Sequence, residues 1–125
     1  MASRGRGARA KGFQFERDIA KLFSDATGRE FKRGLGQARG GGADVPDVLP
    51  SDSLLAAAIH IECKRQKVCS IKAAMKQADD DIGDDDKAPI VVTKDDRKDT
   101  LVTMKLDDFL PMFSAWLDTR GLEEE

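Results

Sequence analysis

The chain has 125 residues, 40% hydrophobic and 35% charged, with a formal net charge of −2. That balance predicts one compact domain with a heavily ionised surface and argues against a disordered chain or one with two independent cores. No apolar run approaches the roughly 18 to 20 residues a spanning helix needs, and none follows the basic start "MASRGRGARAKG", so a cytoplasmic protein without a membrane segment is expected. Cys63 and Cys69 are too few for a disulfide scaffold. Together with the lone His60 they fall short of the four ligands of a structural zinc site, so core or strand packing is their expected role.

The charge is unevenly spread. Residues 1–40 hold ten Lys or Arg against four Asp or Glu, a balance of +6, which leaves −8 for residues 41–125. Arg4, Arg6, Arg9, Lys11, Lys32, Arg33 and Arg39 are interspersed with glycines that let the backbone follow a polyanion, so nucleic acid is the expected partner. Arg65 and Lys72, on either side of "QKVCS", extend that basic set. Residues 1–10 read as a basic flexible arm, 11–119 as the single domain and 120–125 as an acidic, frayed tail.

In chain order, Phe15, Ile19, Leu22 and Phe23 predict a helix from about Lys11 to Gly28, with Glu16 on the margin of its buried stripe. "REFKRGL" predicts a short strand, and "GQARGGGAD" a loop that brings backbone close to a neighbour. "VPDVLP" reads as a strand whose Pro46 marks an edge, a bulge or a start just beyond it, which leaves Asp47 at the irregular point. In "AAIHIECKR", Ile59, Ile61 and Cys63 alternate with His60, Glu62 and Lys64, so the apolar set is expected to face the core and Glu62 and Lys64 to share the other face. Ser70 is the expected N-cap of a helix striped by Ile71, Met75, Ala78 and Ile82 and ending near Gly83. "APIVVTK" and "TLVTMKL" predict a hairpin through "DDRKD". Asp107 to Leu117 predicts a last helix whose Phe109, Leu110, Phe113, Trp116 and Leu117 belong to the core by spacing. The order αβββαββα predicts an α/β fold, one mixed sheet flanked by helices. The runs Asp79–Asp81 and Asp84–Asp86 lack the alternating ligands of a calcium loop and read as solvated.

Glu16, Asp47 and Glu62 thus fall at special places. Carboxylates gathered without basic partners resist ionisation unless a divalent cation neutralises them, and Mg²⁺ does so with hard oxygen ligands. A bound cation creates a nucleophilic water and stabilises the charge of a phosphoryl transition state, while an ammonium such as that of Lys64 orients the water or shields the phosphate.

"PD" at Pro46 and Asp47, fourteen intervening residues, and "ECK" at Glu62 to Lys64 resemble the signature of the PD-(D/E)XK nuclease superfamily. The predicted topology is similar to its restriction-endonuclease-like core. Over roughly residues 11–93, "FERDIAKLF", the Gly/Arg loop and "IHIECKR" resemble archaeal-type and phage Holliday junction resolvases, although the serine many of those carry in the loop is missing from "GQARGGGAD". The resemblance implies that Asp47 and Glu62 bind the metal with the main-chain carbonyl of Cys63, that Glu16 completes the site, and that Lys64 assists catalysis. Gln77 would hold a family-like polar position. It further implies Mg²⁺, with Mn²⁺ able to substitute, 5′-phosphate and 3′-hydroxyl ends, branched DNA and a homodimer. A nuclease of the same fold acting on other DNA and a non-catalytic DNA-binding protein are the competing readings.

Overall fold

The computed structural model describes residues 4–34 and 45–121, with side chains from Gly7 onward. Helix α1 (Arg4–Thr27) leads into strand β1 (Phe31–Arg33), β2 (Val48–Pro50), a short helix α2 (Ser53–Ala56) and β3 (Ile59–Gln66). Helix α3 (Ile71–Ile82), the hairpin of β4 (Ala88–Asp95) and β5 (Thr100–Met104), and helix α4 (Leu106–Thr119) complete it. The five strands form one sheet in sequence order, antiparallel throughout except that β3 and β4 run parallel, joined by α3. A mixed sheet flanked by helices is the restriction-endonuclease-like arrangement expected. No helix among the described residues is long and apolar enough to cross a membrane.

Four local outcomes differ from the sequence reading. Helix α1 begins at Arg4 rather than Lys11, so residues 4–10 continue the helix instead of forming a separate segment. The short α2 was not expected; Asp52 caps it by accepting from the amides of Leu54 and Leu55. Leu22 is 60% exposed, whereas Phe15, Ile19 and Ala20 are buried. The buried arc of α1 therefore runs from Phe15 through Ile19 and Phe23 to Ala20. Leu22 falls outside it, while Glu16 projects within it rather than at its margin. The last difference is the largest: no residue of α4 is buried, so its aromatic stripe does not belong to the core. On the sheet face that carries Ile90 and Val92, α1 packs on β1, β2 and β3, and α3 takes the opposite face, while α4 faces Val102 and Met104 of β5 across a groove and buries no residue.

Both faces of β3 are covered. Ile61 and Cys63 join Phe15, Ile19, Phe31, Val48, Ile90 and Val92 under α1. On the other side His60 and Glu62 are also buried, 1% and 2% exposed, because Ala74 and Ala78 are small enough to bring α3 close to the sheet. The polar face of β3 is thus an interior face rather than a solvated one. Gly28 and Gly83, at φ 69° and 64°, close α1 and α3 in the left-handed region that favours glycine.

Truncation at the centre of the α1 layer should register fully: Ile61→Ala is expected to lower unfolding free energy by about 2 to 5 kcal/mol. Leu22→Ala should change it by less than about 0.5 kcal/mol. Urea denaturation of both variants checks this, and a large loss at Leu22 would contradict the described arc.

Candidate active site

Asp47 stands one residue before β2, because Pro46 cannot donate to a strand ladder and pairing begins only at Val48. Backbone fixes it on three sides. Its amide donates to the Ile61 carbonyl (3.0 Å), its carbonyl accepts from Gly34 (2.8 Å), and its Oδ2 accepts from the Cys63 amide (2.8 Å). Gly34 is needed there, since a Cβ would collide with the Pro46 carbonyl oxygen.

Glu16 enters from α1, where Arg33 of β1 donates from Nε to its Oε2 at 2.7 Å. The guanidinium also lies 4.1 Å above the Phe13 ring, which fixes it in place. Glu62 enters from β3, with its Oε1 2.6 Å from Nε2 of His60, so one proton lies between the two buried groups. Asp81 of α3 completes the set: its carboxylate, that of Glu62 and the His60 ring nitrogen lie within 4.8 Å of one another. A recess of about 460 Å³ collects Glu16, Asp47, Glu62 and Asp81 with Arg9, Arg33 and Gln77 on its walls.

Electrostatics record this crowding. Burial first, and then neighbouring Asp47 and Asp81, push the Glu62 carboxyl up to about 9. Burial also raises Glu16, opposed by the bond from Arg33 and reinforced by Asp47. The Cys63 thiol is pushed up by burial and by the surrounding acids, which makes it an inert packing group. Hard oxygen donors in excess over cations, some too crowded to ionise, are the donor set that a divalent cation suits.

The sequence candidates divide as follows. Glu16, Asp47 and Glu62 are brought together, and Gln77 stands at their border. Lys64 shares the Glu62 face but lines an adjoining recess of about 190 Å³ with Ser70, Ala74 and Gln77, so Gln77 is common to both. The Cys63 main chain runs beside Asp47. Among the basic candidates, Arg9 and Arg33 line the acidic recess, Lys11 pairs with Asp96 at 2.9 Å, and Arg65 reaches Asp96 at 3.4 Å. Lys72 is exposed on α3. Arg39 and the side chains of Arg4 and Arg6 lie outside the described residues.

Asp81 and His60 are the residues the sequence reading missed. Asp81 was read as part of a solvated run, yet it follows Ala74 and Ala78 at the i+7 and i+3 positions that share a helix face, and that spacing was the available signal. His60 and Cys63 point to opposite faces of β3, which removes any common zinc site. The one cluster with metal-ligand spacing among the described residues is His60, Glu62 and Asp81.

Two predictions follow from this geometry. For a carboxyl whose folded value, about 9, lies above its ordinary 4.5, the stabilising contribution is complete below about 4.5 and disappears as pH rises through 9. The metal-free protein in EDTA should therefore melt at falling temperature between about pH 6 and 9. Glu62→Gln should flatten that slope and melt about 5 °C higher near pH 8, roughly 1 kcal/mol; a flat wild-type profile would contradict the crowding. Gly34→Ala should displace Asp47 and weaken Mn²⁺ binding by about 10- to 100-fold in calorimetry while the core stays folded.

A search of the curated proteins and one of the solved structures each gave no match. The family described as "Phage putative PDDEXK endonuclease" matches residues 7–120, a span that holds every element from α1 to α4 except the first three residues of α1, and all four acids of the recess. The convergence of Asp47, Glu62 and Glu16 at the start of β2, on β3 and on α1 agrees with that assignment, and the chain belongs to this family of phage PD-(D/E)XK endonucleases.

Proposed function

We propose that the protein is a Mg²⁺-dependent, structure-selective DNA endonuclease that cuts four-way or similarly branched DNA as a homodimer. The observation that carries the chemical part is the gathering of Glu16, Asp47, Glu62 and Asp81 in one recess, with Lys64 in the adjoining one. A divalent cation bound there supplies charge neutralisation for the carboxylates and an acidified water for attack on phosphorus. Asp47 and Glu62 are the proposed ligands together with the Cys63 carbonyl, and Glu16, tied to Arg33, completes the site. Mn²⁺ should substitute for Mg²⁺.

The proposed role of Lys64, in the neighbouring recess, is to orient the attacking water or shield a nonbridging phosphate oxygen. The proposed role of Gln77, which lines both recesses, is to hold the phosphate between them. Hydrolysis breaks the bond from phosphorus to the 3′ oxygen, and the ends are a 5′ phosphate and a 3′ hydroxyl. Arg9, which lines the acidic recess, and Lys72, exposed on α3, are the proposed contacts to DNA. Arg33 is engaged by Glu16, and its proposed role is to set that carboxylate as much as to contact phosphate. The branched substrate rests on the resemblance of "FERDIAKLF", the Gly/Arg loop and "IHIECKR" to junction resolvases.

Purified protein incubated with a labelled four-way junction and the matching linear duplex should give paired nicks near the branch point in Mg²⁺ and none in EDTA. Glu62→Ala and Lys64→Ala should each lower the rate by about 100- to 1,000-fold or more. Equal cutting of the linear duplex would replace the branched substrate with ordinary DNA, and activity that survives in both variants would remove the proposed centre altogether.

A further inference from the structure

At the sheet edge away from the acidic recess, β5 and α4 expose an apolar face that the chemistry does not use. β5 is an edge strand, so one side of its backbone has no neighbour in the sheet. Its Leu101 and Val102 are 53% and 57% exposed, and α4 beyond it buries no residue. Phe109, Phe113 and Trp116 stack along that helix with ring centroids 5.6 and 5.8 Å apart, and a groove of about 710 Å³ separates them from Val102 and Met104. A 14-residue helix without a buried face is marginal in water on its own, so this arrangement calls for a covering surface.

The stretches of this sequence outside the described residues hold too few large apolar side chains to match such a face. "MAS", "LGQARGGGAD" and "LEEE" contribute one large apolar side chain each, Met1, Leu35 and Leu122. A second copy matches it. The seven large apolar side chains between Val102 and Trp116 that remain 41% to 66% exposed present an area on the order of the ~800 Å² per partner of a standard protein interface. An open strand edge beside an apolar helix is also self-complementary. A two-fold axis normal to the sheet at the free edge of β5 pairs that strand antiparallel with its counterpart, sets α4 against the other copy, and leaves no such edge exposed.

We infer that two copies of the chain associate through β5 and α4. The recess lies at β2 and β3, on the other side of β4, so both sites stay open in this dimer. The inference deepens the proposed cutting of branched DNA, which requires two centres in one particle, yet it stands on the surface itself and is tested without DNA.

Sedimentation equilibrium of the full chain from about 1 to 100 μM should give a dimer with Kd in the low micromolar range or tighter. Val102→Lys combined with Phe113→Glu should weaken association at least 100-fold with an unchanged far-UV spectrum, and Leu22→Glu on α1 should remain dimeric. If the double variant loses its fold, Met112→Lys decides alone, since that side chain is already 55% exposed. A wild-type monomer throughout the range, whether or not it captures other proteins, overturns the inference, as does a dimer that persists in folded variants of the face. Metal-dependent cutting by a monomer would overturn this interface and leave the nuclease reading standing.

Discussion

Like charge forced into a small volume is the constraint around which this molecule is arranged. Two carboxylates about 4 Å apart repel by roughly 4 kcal/mol at the effective dielectric of a partly buried site, and here four of them, from α1, the start of β2, β3 and α3, face one recess. One guanidinium, that of Arg33, is bonded to one of the four. The protein meets the repulsion by keeping Glu62 protonated with a shared proton toward His60, and by clamping Asp47 with backbone hydrogen bonds that no side-chain rearrangement can release. A divalent cation would relieve that repulsion, and its binding would then be coupled to the stability of the fold.

That coupling depends on backbone proximity more than on the acids themselves. Ala74 and Ala78 let α3 settle on the β3 face, which denies Glu62 a route to solvent and brings Asp81 toward it. Gly34 lets β1 pass against the Pro46 carbonyl, so Asp47 arrives beside Cys63 and not a residue higher or lower. A larger side chain at any of the three would leave all four acids in the sequence and disperse them in space. The residues that carry chemistry are thus held by residues that carry none.

Much of this was legible before any coordinates. The period-2 pattern of "AAIHIECKR" and the helical spacing of Phe15, Ile19 and Phe23 led to the right elements, and of the edge, bulge or later start that Pro46 left open, the strand takes the last and begins at Val48. What stayed hidden depends on which faces a fold covers, a property of the whole assembly that local periodicity does not encode. The polar face of β3 and the aromatic stripe of α4 look like a solvated surface and a core helix when read alone. The sheet reverses both, since α3 caps the first and α4 hangs beyond the edge strand. Asp81 was masked for a related reason: a run of three aspartates suggests solvation, and only its helical phase relative to Ala74 and Ala78 separates it from Asp79 and Asp80.

The position of Lys64 completes the electrostatic argument. A cation close to Glu62 and Asp47 would neutralise them directly and take the place a divalent ion requires, whereas a cation far from them could not act on the same phosphate. Residues two apart on a strand are separated by roughly 6.5 Å, and Gln77 stands at the wall common to their two recesses. Lys64 makes no ion pair among the described residues, and Arg65, the next cation along β3, is drawn to Asp96 on the opposite side of the strand. The alternation of β3 therefore does more than expose a motif: it keeps one ammonium near the acids without an ion pair to any of them among the described residues.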